Sequence, residues 1–175
     1  SPATRQKLAA TLGSPGNLGT DCTNPVVQRI LSDAMIEAMD TELGRLLTST
    51  GLAKRDGAGQ LVYEPERTNT LIVIVGDNGT LGGSVKLAFN PDLAKGTAYQ
   101  TGVWVPLIAS GPLVVQPDRE VNHMVNMVDV FQLFGEMAGI DVPKAVPRVI
   151  DSASLLPYLT NPSQSSIRNV NFTQG

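Results

Sequence analysis

The chain has 175 residues, of which 42% are hydrophobic and 17% charged, with a formal net charge of −3. That is enough apolar material for a real core and too little charge for a disordered chain, and nothing in it points to a nucleic-acid surface, since no Lys/Arg-rich run exists. No apolar run is long enough to span a bilayer, and a single cysteine excludes an internal disulfide framework.

Residues 1–24 are rich in Gly, Pro, Ser and Thr and read as loop or linker, with a short helical turn near Lys7–Leu12. The opening Ser1-Pro2-Ala3-Thr4-Arg5 is not a signal peptide. Asn24-Pro25 is a helix start, because Asn caps and Pro is tolerated where no N–H is needed. Val27, Ile30, Leu31, Ala34, Met35, Ala38, Leu43, Leu46 and Leu47 then recur with helical spacing. With Gly51 as a stop, residues 25–50 form one long amphipathic helix.

Residues 54–69 are polar and turn-rich. Thr70-Leu-Ile-Val-Ile-Val75 is wholly apolar and β-branched, which fits a strand buried on both faces, as in a parallel sheet covered by helices. It stops at Gly76-Asp77-Asn78-Gly79. About twenty residues of loop follow, a length that inside a compact domain is usually functional or disordered. Val103–Ala109 is a second strand candidate, in which Pro106 marks an edge, a bulge or a strand start. Residues 121–138 read as a second helix ended by Gly139. Ser152–Leu159 reads as a short third helix capped by Asp151 or Ser152, and Ile167–Phe172 as a terminal strand. Trp104 and Phe131 are expected in the core. The order helix, strand, long loop, strand, helix is that of a layered α/β protein.

In open α/β sheets, ligands bind outside the carboxyl ends of the strands. Asp77 and Asn78 stand at such an end and offer a carboxylate and an amide oxygen, hard donors suited to calcium or magnesium rather than zinc. The same Asp-Asn-Gly is also a strong turn signal, and two ligands do not complete a site. Lys95 in the long loop can hold an anionic oxygen as a point charge, or be an ordinary solvated lysine. Thr80, Thr97 and Tyr99 can add hydroxyl contacts or be ordinary loop residues.

Five segments in one order carry a family resemblance. Asp40-Thr-Glu-Leu-Gly44-Arg-Leu-Leu47 resembles the sulfatase helix pattern D-x-x-(I/L/V)-G-(R/K)-L-L. Thr70–Gly79 resembles the strand ending in S-D-N-G or S-D-H-G. Ala94–Ile108 resembles K-G-x-x-Y-E-G-G-x-R-V-P-L-I, Val128–Ile140 resembles V-D-L-x-P-T-L-L-x-L-A-G-I, and Asp151–Leu159 resembles D-G-x-S-L-L-P-L-L. The match covers roughly residues 28–170.

The resemblance implies that residues 1–175 are the C-terminal portion of a sulfatase-like catalytic domain of the alkaline phosphatase superfamily. The implied fold is an alkaline-phosphatase-like three-layer α/β sandwich, a mixed sheet between helices, present here only in part. It implies metal ligands at Asp77 and Asn78, and an anion-binding catalytic lysine at Lys95. Asn at position 78 favours the single-calcium sulfatase pattern over the two-zinc pattern with His. The implied activity is hydrolysis of a sulfate or phosphate ester, and family habit implies export to the periplasm or secretion.

The departures from the pattern are specific. The nucleophile motif C/S-x-P-x-R is absent: Cys22 lies in Asp21-Cys22-Thr23-Asn24-Pro25-Val26 and reads as a small loop or core residue. The paired N-terminal aspartates are absent too. E-G-G-x-R becomes Gln100-Thr101-Gly102-Val103-Trp104, which loses a carboxylate and an arginine. His123, Asp40 and Asp129 read as structural. Asn78-Gly-Thr80 and Asn171-Phe-Thr173 fit the glycosylation pattern, although a glycan on Asn78 would block the proposed ligand. The chain alone is therefore expected to be inactive and to need the missing N-terminal half of the same fold, because a central strand without its neighbours exposes apolar edges. The competing expectation is a non-catalytic sulfatase-like binding or interaction module.

Overall fold

The computed structural model describes residues 2–12, 23–86 and 88–173. They fall into two compact units: the described residues up to 68 together with those in 74–107, and residues 69–73 together with 108–173.

The first unit opens with helix α1, Pro2–Leu12. Over residues 2–12 the helix replaces the expected loop and extends the expected turn near Lys7–Leu12 back to Pro2. Good helix formers such as Gln6, Leu8, Ala9 and Ala10 follow a proline at the helix start, and α1 packs on the next helix, where the Thr4 hydroxyl donates to the Glu37 carboxylate. The expectation for Cys22 and the rest of that loop lies outside the described residues.

Helix α2 is Pro25–Ser49, one residue short of the expected span. The Asn24 side chain accepts from the Val26 N–H at 2.9 Å and Thr50 N–H closes on Leu46 O, while Gly51 turns the chain out at φ +73°. Of its apolar positions only Val27 is buried; Met35, Ile36, Met39 and Leu46 stand open. The stripe is in the sequence, but the described residues of the unit cover only its beginning. Hairpin strands β1 (Ala53–Arg55) and β2 (Leu61–Tyr63) pair antiparallel with Ala53 opposite Tyr63. Their turn is built on the Asp56 carboxylate, which accepts from the Ala58 and Gln60 N–H groups. Helix α3, Pro65–Thr68, follows. Lys54 and Arg67 flank Glu64 and hold its carboxyl below the usual range.

Strand β3, Ile72–Val75, pairs with β4, Leu107–Ser110. Gly76 N–H donates to Pro106 O at 3.0 Å, while a Cβ on Gly111 would sit 2.9 Å from the Leu71 Cα. The index of one strand falls as the other rises, so the pair is antiparallel. The expected parallel sheet covered on both faces is thus corrected for the described residues: β3 has one neighbour, and Ile74 and Ile108 remain exposed. Pro106 falls immediately before β4, where its missing N–H leaves the ladder intact. Helix α4, Gln100–Val103, turns the chain into that strand.

The second unit contains helices α5 (Met127–Met137), α6 (Val142–Ala145) and α7 (Leu156–Thr160). Its core is Leu133, Leu155 and Tyr158, with Leu71, Val73, Val125 and Ile167 packed around them. Phe131, expected in that core, is 59% exposed; Leu133 takes the inward face of α5 instead. The helix starts at Met127 rather than 121 because Asn126 and Asp129 form a capping box.

Asp129 organises this unit. Its side chain is 1% exposed, accepts from the N–H groups of Asn126 and Ala153 at 2.8 Å each, and is ion-paired with Arg168. Ser152 and Ser154 donate to Gln132 and Glu136 of α5. Those bonds hold 152–154 extended against α5, so α7 begins at Leu156 rather than Ser152. Arg168 also donates to Asp151 O, and Ile167 N–H to the Tyr158 hydroxyl; residues 167–172 are held by side chains and form no strand. Removing one partner of a buried ion pair leaves an uncompensated charge and costs about 3–5 kcal/mol. Asp129→Ala is therefore expected to lower the unfolding free energy of the intact protein by about that amount, and Asp129→Asn by less, as read from denaturant midpoints.

Candidate active site

The chain leaves β3 through Gly76 and enters Asp77-Asn78-Gly79-Thr80, and the ladder continues beyond the strand. Gly79 N–H donates to Gly102 O at 2.9 Å, Thr80 N–H to Thr101 O at 3.0 Å, and Lys95 N–H to Thr80 O at 2.9 Å. Three stretches distant in sequence, 76–80, 94–95 and 101–106, are thereby tied by their backbones. Asp77, Asn78 and Lys95 come to one edge of the first unit as a result. All three side chains are exposed.

Two glycines make this approach possible. A Cβ on Gly79 would lie 2.3 Å from Gly102 C and O, and one on Gly102 would lie 2.3 Å from Thr97 O. Neither position tolerates a side chain, because the obstruction is backbone. Hydroxyl bonds fix the same corner: Thr101 donates to Leu93 O at 2.6 Å, and Thr97 donates to the Leu93 and Ala94 carbonyls at 2.9 Å. Of the two sequence readings of Thr97, a hydroxyl contact or an ordinary loop residue, the second holds: its hydroxyl serves the scaffold. Below the corner, the 3-10 turn Gly82–Ser84 docks on α2 through a bond between the Ser32 and Ser84 hydroxyls at 2.9 Å. The signal that could have found the scaffold is the pairing of Asn78-Gly79 with Thr101-Gly102, visible only once the two loops are known to touch.

The Asp77 carboxylate and the Asn78 amide oxygen are free of protein partners among the described residues. One carboxylate and one amide oxygen, both open to solvent, fit part of the shell of a hard divalent cation, which takes six to eight oxygens. Among the described residues no group of three or more His, Cys, Asp or Glu gathers. His123 belongs to the second unit, where it stacks on Tyr158 with ring centroids 5.6 Å apart. Trp104, expected in the core, is 62% exposed. It stands just after α4 and meets the edge of Phe89, ring centroids 6.2 Å apart at 67°.

The exposed Asp77 and Asn78 stand at the end of a strand, and the backbone of Lys95 is tied to that of Thr80. The chain is 30% identical over 132 residues to a sulfatase of Formosa agariphila, covering 75% of this chain and 23% of that protein. It is 31% identical over 134 residues to the steryl-sulfatase of Mus musculus, 75% of this chain and 20% of that protein. Against arylsulfatase K of Xenopus laevis it is 26% identical over 159 residues, 86% of this chain and 25% of that protein. No family model and no solved structure matches. The chain is part of a sulfatase-family protein, its C-terminal part by the order of the motifs, and spans about a quarter or less of the length of the curated relatives it matches.

Adding one carbon against fixed backbone costs about 1–3 kcal/mol. Gly79→Ala and Gly102→Ala should each lower stability by at least that much in a denaturant titration. Gly57→Ala, with open space around its Cβ, should stay within about 0.5 kcal/mol of the parent.

Proposed function

We propose that this chain supplies part of the active site of a metal-dependent sulfate-ester hydrolase, holding the cation through Asp77 and Asn78 and the ester's anionic oxygens through Lys95. The observation that carries the reading is the backbone ladder that brings these three residues to one edge. The hard-oxygen donor chemistry and the sulfatase relatives support it. Phosphate-ester hydrolysis is the neighbouring chemistry that the same groups can serve.

The fold assigned to the intact protein is the alkaline-phosphatase-like three-layer sandwich, of which β3 and β4 are two strands. The outward apolar residues Ile74 and Ile108, exposed here, support a partner segment, the N-terminal half of the same fold. That half is where the nucleophile and the remaining metal ligands are assigned. An exported location, periplasmic or secreted, goes with this family reading.

A bound divalent cation, calcium by donor type, would act as Lewis acid and template for the ester. Asp77 contributes the negative charge that holds it, and Asn78 a neutral oxygen that completes the pair without over-neutralising it. Lys95, a compact ammonium on a flexible stem, pairs with the non-bridging oxygens as charge develops on them. Its backbone, fixed by Thr80 O, keeps the stem rooted two residues from Asn78.

The second reading is a non-catalytic sulfatase-like binding module. The departures at Gln100 and Trp104, where the family pattern has a carboxylate and an arginine, favour it. Calcium content and ester hydrolysis of the intact protein decide between the two. Asp77→Ala should lose calcium by elemental analysis and reduce hydrolysis of sulfate esters to background. Lys95→Ala should keep calcium and lose about 10²–10³ in kcat, the usual cost of one oxyanion-stabilising group. Full calcium and near-parental turnover in Asp77→Ala would overturn the metal assignment.

A further inference from the structure

Between α6 and the segment 152–154, the second unit carries a loop with idle backbone groups. Val146 N–H closes α6 on Val142 O. From there to Ile150 the chain has no regular structure, and among the described residues the N–H groups of Arg148, Val149 and Ile150 make no hydrogen bond. Both ends of the loop are fixed. Val142 is buried, its side chain against Gly135 of α5, and Ser152 and Ser154 are bonded to Gln132 and Glu136 of the same helix. The stretch between them stands out: Pro147, Arg148 and Val149 are exposed, Val149 at 94%. An open groove of about 580 Å³ lies beside it, lined by Pro143, Val146, Arg148, Val149, Ile150 and Ser152. The sequence also sets the loop's shape. A residue before proline is pushed to extended backbone, and proline fixes its own φ; Val146 is extended at φ −89°, ψ 125°.

An exposed, extended stretch with unused N–H groups is what a serine protease takes up, pairing its backbone as an added strand and reading one side chain in a pocket. Exposed loop tips are where such nicking concentrates. The side chain offered here is Arg148, which has no hydrogen-bond or ion-pair partner among the described residues. The chain's other arginines lie in helices or in strand β1, or, as Arg119 and Arg168, donate to main-chain carbonyls. We propose that the Arg148–Val149 bond is a processing site for a serine protease with an acidic primary pocket. Water adds across the amide through the acyl-enzyme, leaving a carboxylate on Arg148 and an amine on Val149 and returning the protease unchanged. The nicked molecule stays joined. Residues beyond the cut keep the Asp129 bonds to Ala153 and Arg168, the Ser152 and Ser154 bonds to α5, and the Leu133, Leu155 and Tyr158 core.

Limited digestion of the intact native protein with trypsin, read by fragment mass and N-terminal sequence, tests this. The first cut should give a fragment beginning Val149-Ile150-Asp151. That fragment should separate under denaturing conditions only, and on native gel filtration both pieces should elute together at the parent volume. Arg148→Gln should remove the cut without shifting the thermal midpoint, because an exposed side chain without a partner contributes little to stability. Lys144→Gln, in the neighbouring α6, should leave the cut in place. A first cut at any other bond overturns the proposal. So does an Arg148–Val149 bond that resists trypsin at levels that digest the urea-unfolded protein, since the rest of the intact protein then covers the loop. Release of the downstream fragment on native gel filtration keeps the cleavage site and overturns the joined two-chain form.

Discussion

The backbones of Gly79 and Gly102 touch with no room for a side chain on either, and the arrangement of the site depends on that contact. It lets the chain continue its ladder past the end of β3, where Asp77 and Asn78 would otherwise sit on a free loop. Once the two glycines are locked, Thr80 O is in place to take the Lys95 N–H. Asp77, Asn78 and Lys95 are thus rooted by main-chain bonds with their side chains exposed, which is what the proposed cation and anion roles require.

The second unit solves a different problem by a different means. Its core is small, and Asp129, nearly inaccessible, joins the start of α5, the 152–154 segment and Arg168. A buried carboxylate is tolerated there because each oxygen is bonded and the charge is paired. That arrangement explains why the aspartate of the Val128-Asp129 motif is structural, as its sequence context led us to expect. The late start of α7 has a related cause: Ser152, expected as a cap, is committed to Gln132 of α5.

Where sequence reading and structure part, burial is usually the reason. Helix α2 was legible because caps and spacing are local properties. The β3 strand and its Asp-Asn-Gly ending were legible for the same reason. Trp104 and Phe131 were expected inside because large aromatics usually are, yet both stand exposed. Whether an apolar residue is covered depends on what packs over it, and that is a property of the partner rather than of the residue. The exposed faces of α2 and of the β3–β4 pair carry the same lesson, in a chain that spans a quarter or less of its relatives.

The sequence by itself determined the helix start at Asn24, the strand of β-branched residues, the hard-oxygen pair at its end and the sulfatase motif order. Each rests on local chemistry: capping, side-chain period, donor type and spacing. Only the tertiary structure decided that β3 runs antiparallel to β4, that Gly79 meets Gly102 and that Thr97 serves the scaffold. Apart from the local bonds of Thr97, those outcomes require segments far apart in the sequence to find one another. The pairing that unites them is made of backbone hydrogen bonds, which leave little trace in side-chain identity beyond the glycines that permit the approach.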